Sequence, residues 1–320
     1  MDMELQISAY CDVPSSENQS ITVSARKFQD LLKALPDESL VSLNTQGSKM
    51  NVQAGRSRFH LQTLPAADYP RLSVTEEQSI KITLPQKTLR AFLRQVEFSM
   101  AQQDIRYYLN GMLWVIEGKT LQLVATDGHR LAWAELPIQE SFPRKEVILP
   151  RKAVMELSKL LTDDEETVAL EIFDHQVRFT LGTIEMISKV VDGKFPDYTR
   201  VIPTNYTKHI EIDRLTFLAA LQRAAILSNE KVRGVHLSLT KNQLNIICNN
   251  NEQEEAEEQL EIDYQDEEIN IGFNITYLLD VLQRLNTEKI VFSLGSSNDS
   301  ALLTIPNQSD YKYVVMPMRI

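Results

Sequence analysis

The chain has 320 residues, 43% hydrophobic and 24% charged, with a formal net charge of −11. That length makes two or three domains with substantial cores, and the isolated Cys11 and Cys248 exclude a disulfide scaffold and favour a reducing compartment. No apolar run reaches the roughly 18 residues that span a bilayer, no signal peptide opens the chain, and the acidic balance taken whole argues against nucleic acid. In chain order, residues 1–13 predict one alternating strand, with Met3, Leu5 and Ile7 on one side, ended by Pro14 and a polar turn through Asn18. A helix over 24–35 carries the stripe Phe28, Leu31, Leu32 and Leu35, and short strands follow near 40–45, 49–54 and 58–63, with Gly47 and Gly55 at the turns. From Ile80, ITLPQKTLRAFLRQVEFSM predicts a strand, Pro85 and a helix turning Leu89, Phe92, Leu93 and Val96 inward. From Val147, VILPRKAVMELSKLLTDDEETVAL predicts a strand, Pro150 as first helical residue, a stripe of Val154, Leu157 and Leu161, an acidic turn and another strand. HIEIDRLTFLAALQRAAILS from His209 repeats the Ile80 design with Asp213 as N-cap, and INIGFNITYLLDVLQRL from Ile269 repeats the Val147 one.

The phrases opening at Ile21, Val147 and Ile269 recur at intervals of roughly 125 residues, which predicts three similar domains, 1–78, 79–206 and 207–320. The second and third each hold two strand–helix halves. The first holds one helix, so an opening half-domain is expected to be missing. Strand-dominated units with two helices each predict an α+β class, helices covering one side of the sheets.

Charge is unevenly spread. Four of the five predicted helices are net positive in an acidic chain. Lys87, Arg90 and Arg94 form one stripe, Arg26 and Lys33 a second, Lys152 and Lys159 a third, and Arg214 and Arg223 lie on the fourth. Helices aligned along a common surface would attract a phosphate backbone without reading sequence. Aromatic residues are absent from these stripes, so stacking on single strands is not indicated. Elsewhere, NNNEQEEAEEQLEI brings together Glu254, Glu255, Glu257 and Glu258, while GRSRFHL sets Arg56 and Arg58 on one strand face and Phe59 and Leu61 on the other. Acidic and basic edges at opposite ends suit a head-to-tail contact, with Phe59, Leu61, Ile226 and Leu227 supplying the buried apolar area.

TDGHRLAW, residues 126–133, is the most enzyme-like phrase, with Asp127, His129 and Arg130 clustered, yet no second carboxylate or nucleophile is placed. No catalytic residue is assigned. The histidines lack metal-ligand spacing and no glycine-rich phosphate loop occurs, so no metal and no cofactor is expected. Tyr107 and Tyr108 are core or groove residues. The tail YKYVVMPMRI is either the last strand of a core or the lip of an adaptable binding groove.

Eight phrases in order, GRSRFHLQTLPAADYP, QQDIRYYLNGM, VATDGHRLA, SKVVDGKFPDY, RAAILSNEKVRGV, NNNEQEEAEE, GFNITYLLDVL and YVVMPMR, closely resemble the bacterial DNA polymerase III β subunits, the sliding clamps. The resemblance implies a DNA-clamp fold: repeated domains with helices lining an inner surface and antiparallel sheets outside, closed as a head-to-tail homodimer around double-stranded DNA in the bacterial cytoplasm. It implies no catalysis and no membrane. It implies a peptide groove for the DNA polymerase III catalytic subunit, the clamp-loader complex, other polymerases and mismatch-repair proteins. Matching positions place Leu109, Thr126, Gly128, His129, Arg130 and Leu131 on one wall, continued by Pro196, Arg200 and Val201. Asn274, Tyr277, Val314, Val315, Met316, Pro317, Met318 and Arg319 form the remainder, which moves the tail towards the groove reading. Positions near Asn298 and Ser300 are polar here, a departure from the family's other wall. Family members also carry about 45 residues before the position of Met1, in line with the expected half-domain, and the alternative reading is an interaction module that binds peptides without encircling DNA.

Overall fold

The computed structural model describes residues 3–15, 19–72 and 79–319; the expected turn through Asn18 and the domain boundary at 76–78 lie outside them. Two compact units result, Met1–Thr75 and Glu76–Ile320.

In the first unit, β1 (Leu5–Ala9) is shorter than the expected 1–13, because Asp12 and Pro14 break the alternation and residues 10–15 are exposed. β2 (Ile21–Thr22) leads to α1 (Ala25–Ala34). The meander β3 (Val41–Gln46), β4 (Lys49–Ala54) and β5 (Ser57–Gln62) follows, with β6 (Leu64–Pro65) returning to pair β2. Met50, Val52 and Ala54 of β4 are buried, every second residue of the strand as its period requires. No residue of α1 is buried: Phe28, Leu31 and Leu35 are half-buried and Leu32 is exposed.

The second unit opens with β7 (Ile80–Pro85) and α2 (Gln86–Arg94), then β8 (Gly111–Thr126), β9 (Arg130–Pro150) and α3 (Arg151–Leu160). β10 (Thr167–Ile172), β11 (Gln176–Leu181) and β12 (Ile184–Lys189) complete an antiparallel sheet with β7. The same plan recurs in β13 (Lys208–Asp213), α4 (Arg214–Ala224), β14 (Gly234–Thr240), β15 (Gln243–Asn249), β16 (Glu255–Glu261), β17 (Ile269–Asn274) and α5 (Ile275–Arg284). Last come β18 (Lys289–Leu294), β19 (Ala301–Thr304) and β20 (Tyr311–Val315). The sheet β16-β15-β14-β17 stands alone, whereas β13-β18-β19-β20 continues through β9 into β8 as one six-stranded sheet. The halves predicted as separate second and third domains therefore share backbone hydrogen bonds.

Three helices of this unit bury the faces their spacing predicted, Leu89, Phe92 and Leu93; Val154 and Leu157; Leu278, Val281 and Leu282; α4 buries Phe217 and Leu221. Their starts are tied down alike. The Gln86 amide donates to the Glu166 carbonyl at 2.7 Å and the Arg214 amide to Glu288 at 2.9 Å, while Arg151 donates to Asn110 and Ile275 to Arg233. Each of these strand–helix joints thereby satisfies an amide that a helix start leaves unpaired. Asp213 is the N-cap expected, its side chain accepting from the Thr216 amide at 2.7 Å, a bond of the kind that stabilises by about 1 kcal/mol. Pro150 lies one position earlier than expected: it is the N-cap, with ψ 143°, because its fixed φ serves the extended end of β9 equally well.

Candidate functional site

β20 pairs antiparallel with β9, Val314 opposite Leu131 and Val315 opposite Arg130. Over this junction lies an apolar cluster of Leu109, Leu113, Val124, Leu131, Trp133, Phe195, Tyr198 and Val314, edged by Tyr108, Ile202 and Leu302. The Tyr198 hydroxyl donates to Gln122 at 2.9 Å, fixing the ring over the sheet. Burial sorts the expected groove residues. Gly128, His129, Pro196, Arg200, Val201, Met316 and Arg319 are exposed; Thr126, Arg130, Asn274, Tyr277, Pro317 and Met318 are half-buried. Leu109, Leu131, Val314 and Val315, expected as wall residues, are instead buried at 0–3% exposure: the last three lie on the interior strands β9 and β20, and Leu109, in the helical turn before β8, packs in the same cluster as Leu131 and Val314. The structure adds Phe195 and Tyr198, which the phrase KFPDY contained without any periodicity to mark them as buried.

The turn joining β8 to β9 is ordered by Asp127. Its carboxylate accepts from the His129 amide at 2.9 Å, the Arg130 amide at 3.1 Å and Arg130 Nε at 3.0 Å. Gly128 supplies φ +90°, which L side chains rarely adopt. Asp127 thus serves the turn and Arg130, while His129 is exposed. Arg130 itself departs from its expected place. Its guanidinium is 10% exposed, donating from Nη1 to Asp280 at 2.5 Å and from Nη2 to the Phe98 carbonyl at 2.9 Å, over the Tyr277 ring at 4.4 Å. Burial opposes its charge, but Tyr313, Asp280 and Asp127 outweigh that and raise its pKa. Burial also pushes the Tyr277 and Tyr313 phenols up, and the Tyr313 hydroxyl donates to the Tyr277 carbonyl at 2.9 Å. Beyond β20 the tail runs on with the Met316 amide donating to the His129 carbonyl and the Met318 amide to Gly272, both at 2.9 Å.

The loop before β8 is held to the same turn. Arg106 donates to both Asp104 oxygens, at 3.0 and 2.8 Å, and to the Asp127 carbonyl at 3.2 Å. Those bonds lower the Asp104 pKa from 3.8 to about 2. A depressed carboxylate contributes order above its unfolded pKa and loses it as pH falls through the folded value. Protection of the Arg106 amide, which donates to Asp104 at 2.8 Å, is therefore expected to survive at pH 3.8 and to vanish only as pH approaches about 2. Amide exchange measured across that range checks it; protection already lost at pH 4 contradicts it.

The predicted cationic stripes divide. Arg26, Lys33 and Arg94 are exposed and make no ion pair among the described residues. Lys87 lies 3.6 Å from Glu165 and Lys159 2.8 Å from Glu156, both at the surface, where such pairs leave the charge available. Lys152 is exposed; Arg90 is half-buried, and its Nε is a buried atom with no hydrogen-bond partner. Arg214 departs from the expectation, while Arg223 pairs at the surface with its side chain 56% exposed. Arg214 donates to the Thr287 carbonyl at 2.7 Å and the Leu282 carbonyl at 2.9 Å, satisfying the end of α5 in place of a phosphate. Arg223 grips Glu258 through two bonds of 2.7 and 2.6 Å, so a residue assigned to DNA meets one assigned to the acidic edge.

Along that edge Glu254, Glu255 and Glu257 are exposed, and Ile226 is 77% exposed beside the half-buried Leu227. In the first unit Arg58 is exposed on β5, with Phe59 and Leu61 half-buried. Arg56 lies in the turn before β5, because Gly55 with φ +56° ends β4 there.

Comparison with known proteins fits this geometry. Family models of the DNA polymerase III beta subunit match in order: the N-terminal domain over residues 1–73, the central domain over 83–197 and the C-terminal domain over 199–319. The first match corrects the expectation of a bare half-domain in one respect, since residues 1–73 are recognised as the N-terminal domain. The beta sliding clamp of Pseudomonas putida is 46% identical over 322 residues, and that of Escherichia coli strain K12 is 45% identical over 320; each comparison covers 100% of this chain and 87% of the relative. A crystal structure of the DNA polymerase sliding clamp from Pseudomonas aeruginosa superposes with a TM-score of 0.94 at 46% identity, covering 100% of this chain and 87% of that one. By sequence along its whole length and by fold, this chain belongs to the DNA polymerase III beta subunit family, the beta sliding clamps.

Proposed function

We propose that the chain acts as a replication processivity factor: a ring-forming clamp subunit that surrounds duplex DNA and tethers DNA polymerase III. The observation that carries this reading is the succession of three clamp-domain matches in one acidic chain whose exposed cations Arg26, Lys33 and Arg94 lie on helices. A cationic lining holds phosphate without reading bases, and topological linkage then keeps the polymerase at high effective concentration near the primer end. The three clamp domains divide at 1–78, 79–206 and 207–320. Two subunits close head to tail, with Arg58, Phe59 and Leu61 of one facing Ile226, Leu227 and the β16 glutamates of the next. Polymerases, the clamp-loader complex and mismatch-repair proteins insert short hydrophobic segments above the β9–β20 floor, against Val201, Tyr277, Met316 and Met318. The protein performs no chemistry of its own and works in the bacterial cytoplasm.

Loading onto closed circular DNA, followed by linearisation, tests the central claim. Retention on circles at moderate salt and loss from linear molecules is the expected result, because only a topological link escapes through free ends. Equal retention on both contradicts encirclement. A second reading, an interaction module that binds peptides without encircling DNA, is favoured by α1, which buries none of its residues. Peptide binding without retention on circles would establish it.

A further inference from the structure

Arg130 sits where the tail leaves the sheet. Its backbone is opposite Val315, the last residue of β20, and the next tail amide, Met316, donates to the neighbouring His129 carbonyl. Its side chain runs the other way, to α5. The guanidinium spends Nε on Asp127, Nη1 on Asp280 and Nη2 on the Phe98 carbonyl, and its plane lies over the Tyr277 ring at 4.4 Å with Phe98 at 5.5 Å. At 10% exposure, with three of its five N–H donors bonded within the chain, it presents little surface to a bound peptide. A lysine ammonium is a point charge and does not reproduce this planar fork. Tyr277 is held on two sides, its ring under Arg130 and its carbonyl by the Tyr313 hydroxyl.

We infer that Arg130 is a positioning residue: it clasps the β8–β9 turn to α5 and so sets the distance between Tyr277 and the tail, which fixes the opening of the peptide groove. The inference rests on the groove reading above. Peptide affinity then depends on Arg130 through Asp280, two residues that act as one unit although they are 150 positions apart in sequence.

A double-mutant cycle on the full chain tests it. The probe is a fluorescein-labelled hexapeptide carrying two leucines and a phenylalanine, titrated by anisotropy. Asp280→Asn and Arg130→Lys are each expected to weaken binding about tenfold, and the double variant to be no more than about twofold weaker than either, because paired residues do not add. Asp280→Asn is the mild variant, since its carboxylate is 32% exposed. Spin labels at His129→Cys in the β8–β9 turn and Gln283→Cys on α5, both exposed, with Cys11→Ser, give a second readout in the absence of peptide. The inter-label distance distribution should broaden in Asp280→Asn while the unfolding midpoint stays within a few degrees of the parent. Additive losses of about a hundredfold, or unchanged affinity with unchanged distances, overturn the inference. If the parent chain fails to bind the probe, the groove reading falls, and the distance measurement alone then decides the clasp.

Discussion

Removing residues 316–320 is expected to weaken binding of hydrophobic partner peptides by on the order of a hundredfold while lowering the unfolding midpoint by no more than about 8 °C. Met316 is 48% exposed and Pro317 and Met318 are half-buried, so their side chains offer adaptable apolar surface at little cost to the core. Among the described residues, folding loses the two tail amide bonds, to His129 and Gly272, each contributing about 1 kcal/mol. A deletion beginning at Val315 is a different experiment: that residue is 0% exposed and paired to Arg130, and its loss opens the sheet itself. Titration of a labelled peptide beside thermal unfolding separates the two effects. Undiminished affinity after removal of 316–320 would place the groove elsewhere.

Replacing Arg26, Lys33 and Arg94 together with alanine should weaken DNA binding and flatten its salt dependence, the slope of log K against log salt falling by about 0.9 for each phosphate left without its cation. These three are chosen because each is exposed and makes no ion pair among the described residues. By contrast Arg214→Ala should leave the salt slope unchanged and reduce stability, because its guanidinium holds carbonyls at the end of α5. An altered slope for Arg214→Ala, or an unaltered one for the triple variant, would reverse the assignment of which cations meet phosphate. Binding isotherms at several salt concentrations supply both answers.

The helices were legible because their signals are local. Leu89, Phe92 and Leu93, or Leu278, Val281 and Leu282, mark a buried face within one or two turns, and Asp213 announces a start. Strand lengths were less so. β8 and β9 run to 16 and 21 residues, with a register shift between Ile116 and Thr120 that no alternation in GMLWVIEGKTLQLVAT forecasts. What stayed hidden was long-range. Nothing near Tyr311–Val315 says that its partner is β9, and nothing in TDGHRLAW points to Asp280. Site residues assigned by resemblance arrived as a set, and only coordinates separate the buried Val314 from Met316 at the surface. Arg214 and Arg223 looked like other helix cations until their acceptors were known.

β20 lies between β19 and β9, an interior strand of its sheet, although it follows every other strand in the chain. A nascent polypeptide that has emerged from the ribosome as far as Thr304 therefore holds β9 with one bare edge, a template for unwanted pairing. Closure waits on Tyr311–Val315, whose pairing with β9 is among the most distant in sequence and the slowest kind to form. Prematurely terminated products should then be sticky and protease-sensitive.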